Sequence, residues 1–300
     1  MTPFTAKINL ELAPKLKTDL TDQGFTLSQP PYTLFQAQKK GVTCTLYESG
    51  KLVVQGKEMD AFIEFYLEPE ILQEFRYSHP EAHLDIVPHI GLDEAGKGDF
   101  FGPLCIGAVY ADAEGIKKLL QIGVKDSKKL SDDTILKIAA KIRAEYAHVS
   151  IRLFPLKYNE LYARFKNLNR MLAWAHTAAL KDLSEKTQCK RAIIDQFAKE
   201  GVMEAALRQK HLEVHLEQRV GGESDLVVAA ASILARADFV KGMEQLSEEI
   251  GHPLPKGASK AVFNAGLSLV RKYGPDILNK VAKIHFKTKD EILAKASSSE

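Results

Sequence analysis

The stretch Pro88-His-Ile-Gly-Leu-Asp93-Glu94-Ala-Gly96-Lys97-Gly98-Asp99 carries a short apolar run into two consecutive acids and then a glycine-rich turn. Ile90 and Leu92 read as a buried strand, and an unpaired carboxylate at the end of such a strand costs several kcal/mol. The acids therefore need a cation. Neighbours on a strand point to opposite faces, so Asp93 and Glu94 are expected to converge only if the strand ends near Glu94 and the chain bends. Gly96 and Gly98 supply that bend.

Gly96, Gly98 and Gly102 form G-x-G-x-x-x-G, one residue longer than a dinucleotide-binding fingerprint. The residues that follow, Pro103 to Tyr110, read as a second strand and not as a helix, which rules that fingerprint out. A hairpin with a Gly-Lys-Gly corner suits a loop whose amides and lysine approach a sugar-phosphate chain. Taken alone, the stretch reads equally well as a solvated acidic hairpin corner.

A chain of 300 residues with 45% hydrophobic content can build two cores. Its formal net charge of +2 neither demands nor excludes nucleic acid, so the distribution must decide. The first eighty residues carry more acids than bases, while Lys125, Lys128, Lys129, Lys137, Lys141 and Arg143 lie further on. Cys44, Cys105 and Cys189 are scattered without a C-x-x-C pair and read as reduced residues, not as zinc ligands or disulfides. No apolar run approaches the roughly twenty residues of a membrane span, and no signal pattern opens the chain, so a cytoplasmic location is expected.

In order, a helix is expected from Ile8 to Asp22, and strands at 32–38, 42–48 and 51–55 with turns at Lys40-Gly41 and Ser49-Gly50. An amphipathic helix over 58–72 is expected to kink or break at Pro69. These elements make a small α+β domain over 1–76, with a polar, proline-containing linker at 77–87. The second domain, 88–300, begins with the acidic strand. A short helix (114–122) follows the hairpin, and Ser131 caps the next helix, with Asp132 and Asp133 as dipole-favoured acids of its first turn.

A strand over 148–154, helices over 157–165 and 169–185, and a strand Arg191-Ala-Ile-Ile-Asp195 follow, so a second strand ends in an acid. Strand ends are where ligands bind in an open sheet. A fifth strand is expected at 211–218. The run from Gly221 to Arg236 is so rich in small and apolar residues that its helix must be buried, with Trp174 and Leu172 expected in the core of the preceding one. Helices are expected at 258–272 and 275–283, and the polar tail 297–300 is expected to be disordered. The whole is a mixed five-stranded sheet flanked by helices.

Asp93, Glu94, Asp195 and one of Glu223 or Asp225 would repel one another and raise their pKa values unless divalent metal were bound. Hard oxygen ligands suit Mg²⁺ or Mn²⁺, and a pair of such ions is the usual apparatus for in-line attack on a phosphodiester. Residues two apart on a helix diverge by about 200°, so Glu223 and Asp225 cannot both face one site if the helix includes them. Asp225, beside Ser224, is well placed to cap, which leans toward Glu223 but leaves both as candidates on these residues alone.

Six segments then become specific: Gly91-Leu-Asp-Glu-Ala-Gly-Lys-Gly-Asp-Phe-Phe-Gly-Pro-Leu, Lys125-Asp-Ser-Lys-Lys-Leu, Asn169-Arg-Met-Leu-Ala-Trp-Ala-His, Ile193-Ile-Asp-Gln-Phe, Ala229-Ala-Ala-Ser-Ile-Leu-Ala-Arg and Leu254-Pro-Lys-Gly-Ala-Ser. Together they resemble the bacterial ribonuclease HIII family of type 2 ribonucleases H, in order from about Pro88 to Lys283. The N-terminal region is similar to the TBP-like substrate-binding domain of that family. The resemblance implies an RNase H-like fold and cleavage of the RNA strand of RNA-DNA hybrids, with two Mg²⁺ or Mn²⁺ ions, leaving 5′-phosphate and 3′-hydroxyl ends.

The resemblance places the acidic quartet on Asp93, Glu94, Asp195 and Glu223. It gives the reading of the ribose 2′-hydroxyl to Gly96, Lys97 and Gly98. Lys125, Ser127, Lys128, Lys256 and Ser259 are candidates for phosphate contacts, against the plainer reading of solvated basic loops. No obligate protein partner is evident, and a monomer is expected. Two rival readings are incision at single ribonucleotides in duplex DNA, as in ribonuclease HII, and non-catalytic hybrid binding.

Overall fold

A computed structural model describes residues 3–74, 77–78, 84–198 and 201–298, and the chain divides into two compact units, Met1–Leu84 and Asp85–Glu300. In the first unit, β1 (Phe4–Lys7), α1 (Ala13–Asp22), β2 (Thr26–Ser28), β3 (Thr33–Lys39), β4 (Val42–Tyr47) and β5 (Lys51–Gln55) precede α2 (Met59–Phe62). All strand pairs are antiparallel, in the order β1-β5-β4-β3-β2. Alternation explains the single covered face: Phe35, Ala37, Cys44, Leu46, Leu52 and Val54 are buried with Leu16 and Leu20 of α1.

The sheet gains two strands, β1 and β2, that were not anticipated; each is short and pairs on one side only. Beyond α2 the chain continues as a π-helix, Ile63–Leu72, which contains Pro69. The expected break thus takes the form of a widened turn, in which the missing proline N–H is tolerated. Residues 79–83 of the expected linker lie outside the described residues. Asp85, near the linker's end, is anchored in the second unit by Arg191 and Arg219.

The second unit opens with β6 (His89–Ala95) and β7 (Leu104–Ala111), followed by α3 (Ala113–Gln121), α4 (Asp132–Glu145), β8 (His148–Leu153), α5 (Pro155–Phe165) and α6 (Leu168–Thr187). Then come β9 (Arg191–Asp195), α7 (Gly201–Gln209), β10 (His215–Arg219), α8 (Leu226–Ile250), α9 (Lys260–Tyr273), α10 (Ile277–Val281) and α11 (Lys287–Ser297). The sheet order is β10-β9-β6-β7-β8, with β10, β9 and β6 parallel and β7 and β8 antiparallel. This is the mixed five-stranded sheet flanked by helices that the pattern predicts. Helices α7 and α11 were not anticipated. Ser297 closes α11, and residues 299–300 of the expected tail lie outside the described residues.

Helix α6 covers one sheet face, where Ile90, Leu92, Leu104, Ile106 and Ile194 meet Leu172, Ala175, Ala179 and Leu180. Trp174 is only partly buried at the edge of this core. Each fully buried aliphatic side chain contributes about 1.5–3 kcal/mol. Helix α8 lies on the other face, between the sheet and α4, which is why it is apolar all round. It comes this close because a Cβ at Gly91 would stand 2.3 Å from the Val227 carbonyl carbon, and one at Gly107 would stand 2.2 Å from the Ala231 oxygen. Among the described residues no helix is long and apolar enough to cross a membrane.

Candidate active site

Strands β6 and β9 pair in parallel through Leu92 and Ile194, so one register step further sets Asp93 beside Asp195 on the same face. That face is the one covered by α8. Asp93 accepts the Glu94 N–H at 2.8 Å, and the Ser232 hydroxyl of α8, itself 2.9 Å from that of Ser127, lies near enough to temper its pKa. Burial pushes its carboxyl up to about 7, with the charges of Glu94 and Asp195 adding to the effect.

Glu94 points to the opposite face, toward α6. Strand β6 runs one residue past its expected end, to Ala95, and the bend falls at Gly96 with φ +85°, one of the two glycines expected to supply it. The reason is pairing: Glu94 and Ala95 still hold Ile106 and Cys105 of β7. The Glu94 carboxylate lies 3.0 Å from Nε2 of the fully buried His176 and 3.6 Å from Nζ of Lys97. Burial opposes its charge, but His176 and Lys97 outweigh it and lower its pKa. The His176 ring stacks on Phe197 at 5.2 Å, and Lys97 Nζ lies 5.7 Å above the same ring.

Glu223 sits in a single 3-10 turn, Gly222–Ser224, between β10 and α8. Gly222 donates to Asp195 Oδ1 at 2.8 Å, and a Cβ there would lie 2.8 Å from Asp195 Cα. Only glycine lets this turn pack directly on the end of β9. Asp225 is the N-cap of α8: its Oδ1 accepts from Val227 and Val228 and lies 3.0 Å from Nε2 of buried His89. Its lone pairs are spent on the helix, which separates its role from that of Glu223.

The basic candidates fall into two groups. Lys128 is exposed and reaches Glu223 at 3.1 Å, while Lys125 and Ser259 are exposed and Gly98 lies open at the corner. Ser127, by contrast, is buried, its hydroxyl 2.9 Å from that of Ser232. Lys256 is held by Asp132, which also pairs with Arg236 at 3.2 Å. Asp132 therefore does more than favour the first turn of α4. It ties the Lys256 loop to α8.

Among the described residues no three Asp, Glu, His or Cys side chains are drawn up closely enough to enclose an ion as they stand. The donor chemistry nevertheless fits a hard divalent cation. Asp93 and Asp195 face the same side, the Glu223 turn packs on Asp195, and burial, with the charges of Glu94 and Asp195 adding to it, raises the Asp93 pKa. His176 and Ser232 were assigned no role from sequence. The available signal was a polar residue on the core face of an otherwise apolar helix: His176 between Leu172 and Leu180, Ser232 within Val227–Ala235.

The sequence model described as Ribonuclease HII matches residues 90–289, and one described as Domain of unknown function (DUF3378) matches residues 4–78. Ribonuclease HIII of Protochlamydia amoebophila (strain UWE25) is 55% identical over 293 residues, covering 98% of this chain and 97% of its own. Ribonuclease HIII of Chlamydia felis (strain Fe/C-56) is 48% identical over 300 residues, covering 99% of each chain. The crystal structure of Bst-RNase HIII in complex with Mn²⁺ is 30% identical, with a TM-score of 0.70 over 99% of this chain and 100% of that one. Joined to paired acids at two parallel strand ends and a glutamate on the turn beside them, these likenesses show that the chain belongs to the ribonuclease HIII family.

Proposed function

We infer that the protein is an endonuclease that hydrolyses the RNA strand of RNA-DNA hybrids, with Asp93, Glu94, Asp195 and Glu223 holding divalent Mg²⁺ or Mn²⁺. The observation that supports the site assignment is the in-register Asp93–Asp195 pair, in which burial, with the charges of Glu94 and Asp195 adding to it, raises the Asp93 pKa. When bound, a pair of such ions supplies an activated water and stabilises the leaving 3′ oxygen. The chain's own residues position the donors: the Glu94 N–H holds Asp93, His176 aims Glu94, and Gly222 lets the Glu223 turn sit on Asp195.

Lys128 and Lys97, now paired with Glu223 and Glu94, are the cations nearest the acids and would pass to substrate phosphates once metal neutralises the carboxylates. Gly96, Lys97 and Gly98 present a corner to the ribose. Lys125, Ser259 and Lys256 extend the phosphate-contacting surface, and Ser127 acts from beneath it through Ser232. In the N-terminal domain, taken as residues 1–76, the sheet face away from α1 carries Gln36, Gln38, Thr43 and Gln55, polar side chains suited to adding hybrid contacts. The protein acts as a cytoplasmic monomer.

The test is cleavage of an end-labelled continuous hybrid and of a duplex with one ribonucleotide, each with Mg²⁺ and with Mn²⁺. Cuts in the continuous hybrid leaving 5′-phosphate ends are expected. Cutting confined to the single-ribonucleotide duplex would favour a ribonuclease HII-like preference, and tight binding without cutting would refute the catalytic assignment.

A further inference from the structure

Lys283 is fully buried, yet among the described residues no acid forms an ion pair with it. Its Nζ donates instead to three backbone carbonyls of one loop: Asp99 at 2.9 Å, Phe101 at 3.3 Å and Gly102 at 2.8 Å. That loop is the continuation of the Gly96-Lys97-Gly98 corner. Burial opposes the charge and pushes the Lys283 pKa down to about 7, whereas three carbonyl oxygens can be satisfied together only by the three N–H bonds of the ammonium. Such converging carbonyls, buried without a donor, would each carry a desolvation cost.

The same segment holds the loop through its backbone. Lys283 N–H donates to the Phe100 carbonyl at 2.8 Å, Gly102 N–H to the Val281 carbonyl at 3.0 Å, and Phe101 bridges Ala282. Across the loop, Phe100 N–H reaches the Gly257 carbonyl at 3.0 Å and Gly257 N–H reaches Asp99 Oδ1 at 2.6 Å. The lysine is itself fixed. Asn159 of α5 donates to the Ala282 carbonyl at 2.9 Å and accepts Ile284 N–H at 3.1 Å, and Tyr158 lies beneath Nζ at 5.6 Å. Gly96, where the corner leaves β6, admits no side chain, since a Cβ would stand 2.3 Å from the Pro103 oxygen.

We propose that Lys283 is a positioning residue for substrate recognition: it turns the carbonyls of residues 99–102 inward and so holds the glycine corner in one shape for the ribose-phosphate chain. This rests on the reading of the corner given under the proposed function. Lys283 touches neither the acids nor the substrate. It acts on the loop, and its loss should appear in substrate binding before it appears in metal binding or chemistry.

The experiment compares full-length Lys283→Met and Lys283→Arg with the unmodified protein by three measurements: Mn²⁺ affinity without substrate, KM and kcat on a continuous hybrid, and hydrogen exchange over residues 96–102. For Lys283→Met, faster exchange in that segment, unchanged Mn²⁺ affinity and a KM raised at least about tenfold with kcat little altered are expected. Partial recovery is expected in Lys283→Arg. Unchanged exchange and KM, or a fall in kcat and Mn²⁺ affinity at constant KM, would overturn the proposal. If Lys283→Met does not fold, Asp99→Ala, which removes the side-chain acceptor of Gly257 N–H in the same loop, must raise KM selectively, and an unchanged KM overturns the proposal there too. Failure of the unmodified protein to cut hybrid would count against the functional reading alone, because exchange over 96–102 still reports whether Lys283 holds the loop.

Discussion

Asp93 and Asp195 stand side by side at the carboxyl ends of two parallel strands, one residue beyond the paired Leu92 and Ile194. Roughly a hundred residues separate them in the chain, and backbone register alone brings them to one face. Glu94, the immediate neighbour of Asp93, is on the other face against His176. Asp93 and Asp195 are therefore brought together by the pairing of two strands, and not by a bend within one strand.

Asp93→Asn should reduce hybrid cleavage to the uncatalysed background while leaving hybrid affinity nearly unchanged. Amide for carboxylate is isosteric, and a site that already raises this pKa to about 7 accommodates a neutral group. Single-turnover cleavage with filter binding on the same hybrid checks both halves. Near-normal cutting would remove Asp93 from the site.

His176→Ala should weaken Mn²⁺ binding about 10–100-fold, the usual cost of losing a partner that orients a ligand. The ring's contact with Glu94 and its stacking on Phe197 would both vanish. Calorimetric titration with Mn²⁺ in the absence of substrate measures this directly, and affinity equal to the unmodified protein would show that Glu94 needs no such support.

Gly222→Ala should cost about 1–3 kcal/mol of stability through overpacking, because the new methyl would press on Asp195 Cα at 2.8 Å. The displaced turn carries Glu223, so activity should fall further than stability accounts for. Gly98→Ala, where a Cβ meets nothing within 4 Å, is the control for stability. Equal melting temperatures for the two variants would contradict the packing described.

Asp85 gives the pH prediction. Arg191, with Arg219 adding to it, holds its carboxyl well below the usual carboxylate range against the opposing effect of burial. A depressed folded-state pKa contributes stability that is present above the unfolded value near 3.8 and is lost as pH falls through the folded value. Asp85→Asn should therefore be destabilised at neutral pH, with the difference from the unmodified protein shrinking steadily below about pH 4. Urea unfolding at a series of pH values checks it, and a gap that widens on acidification would reverse the sign.

Much of the architecture is legible in the chain itself. Alternation and apolar runs mark β6, β7, β8 and β9, two strands visibly end in acids, and the small-residue run before Arg236 announces a buried helix. Asp225 as helix cap also follows from local chemistry, since an aspartate before an apolar run satisfies the first amides of a helix. Strands β1 and β2 escaped because three or four residues carry too little pattern. Helix α7 lies in the stretch between β9 and β10, for which no element was predicted.

The order and spacing of residues by themselves determined that the chain builds a mixed sheet with carboxylates at its strand ends, because hydrophobic periodicity and turn chemistry are local. Only the tertiary structure decided that Asp93 meets Asp195, that Glu94 turns toward His176, that Ser232 meets Ser127, and that Lys283 gathers the carbonyls behind the glycine corner. Each of those depends on strand register or on contacts between segments far apart in the chain, and burial together with the charged neighbours that the fold supplies sets how strongly their charges are felt.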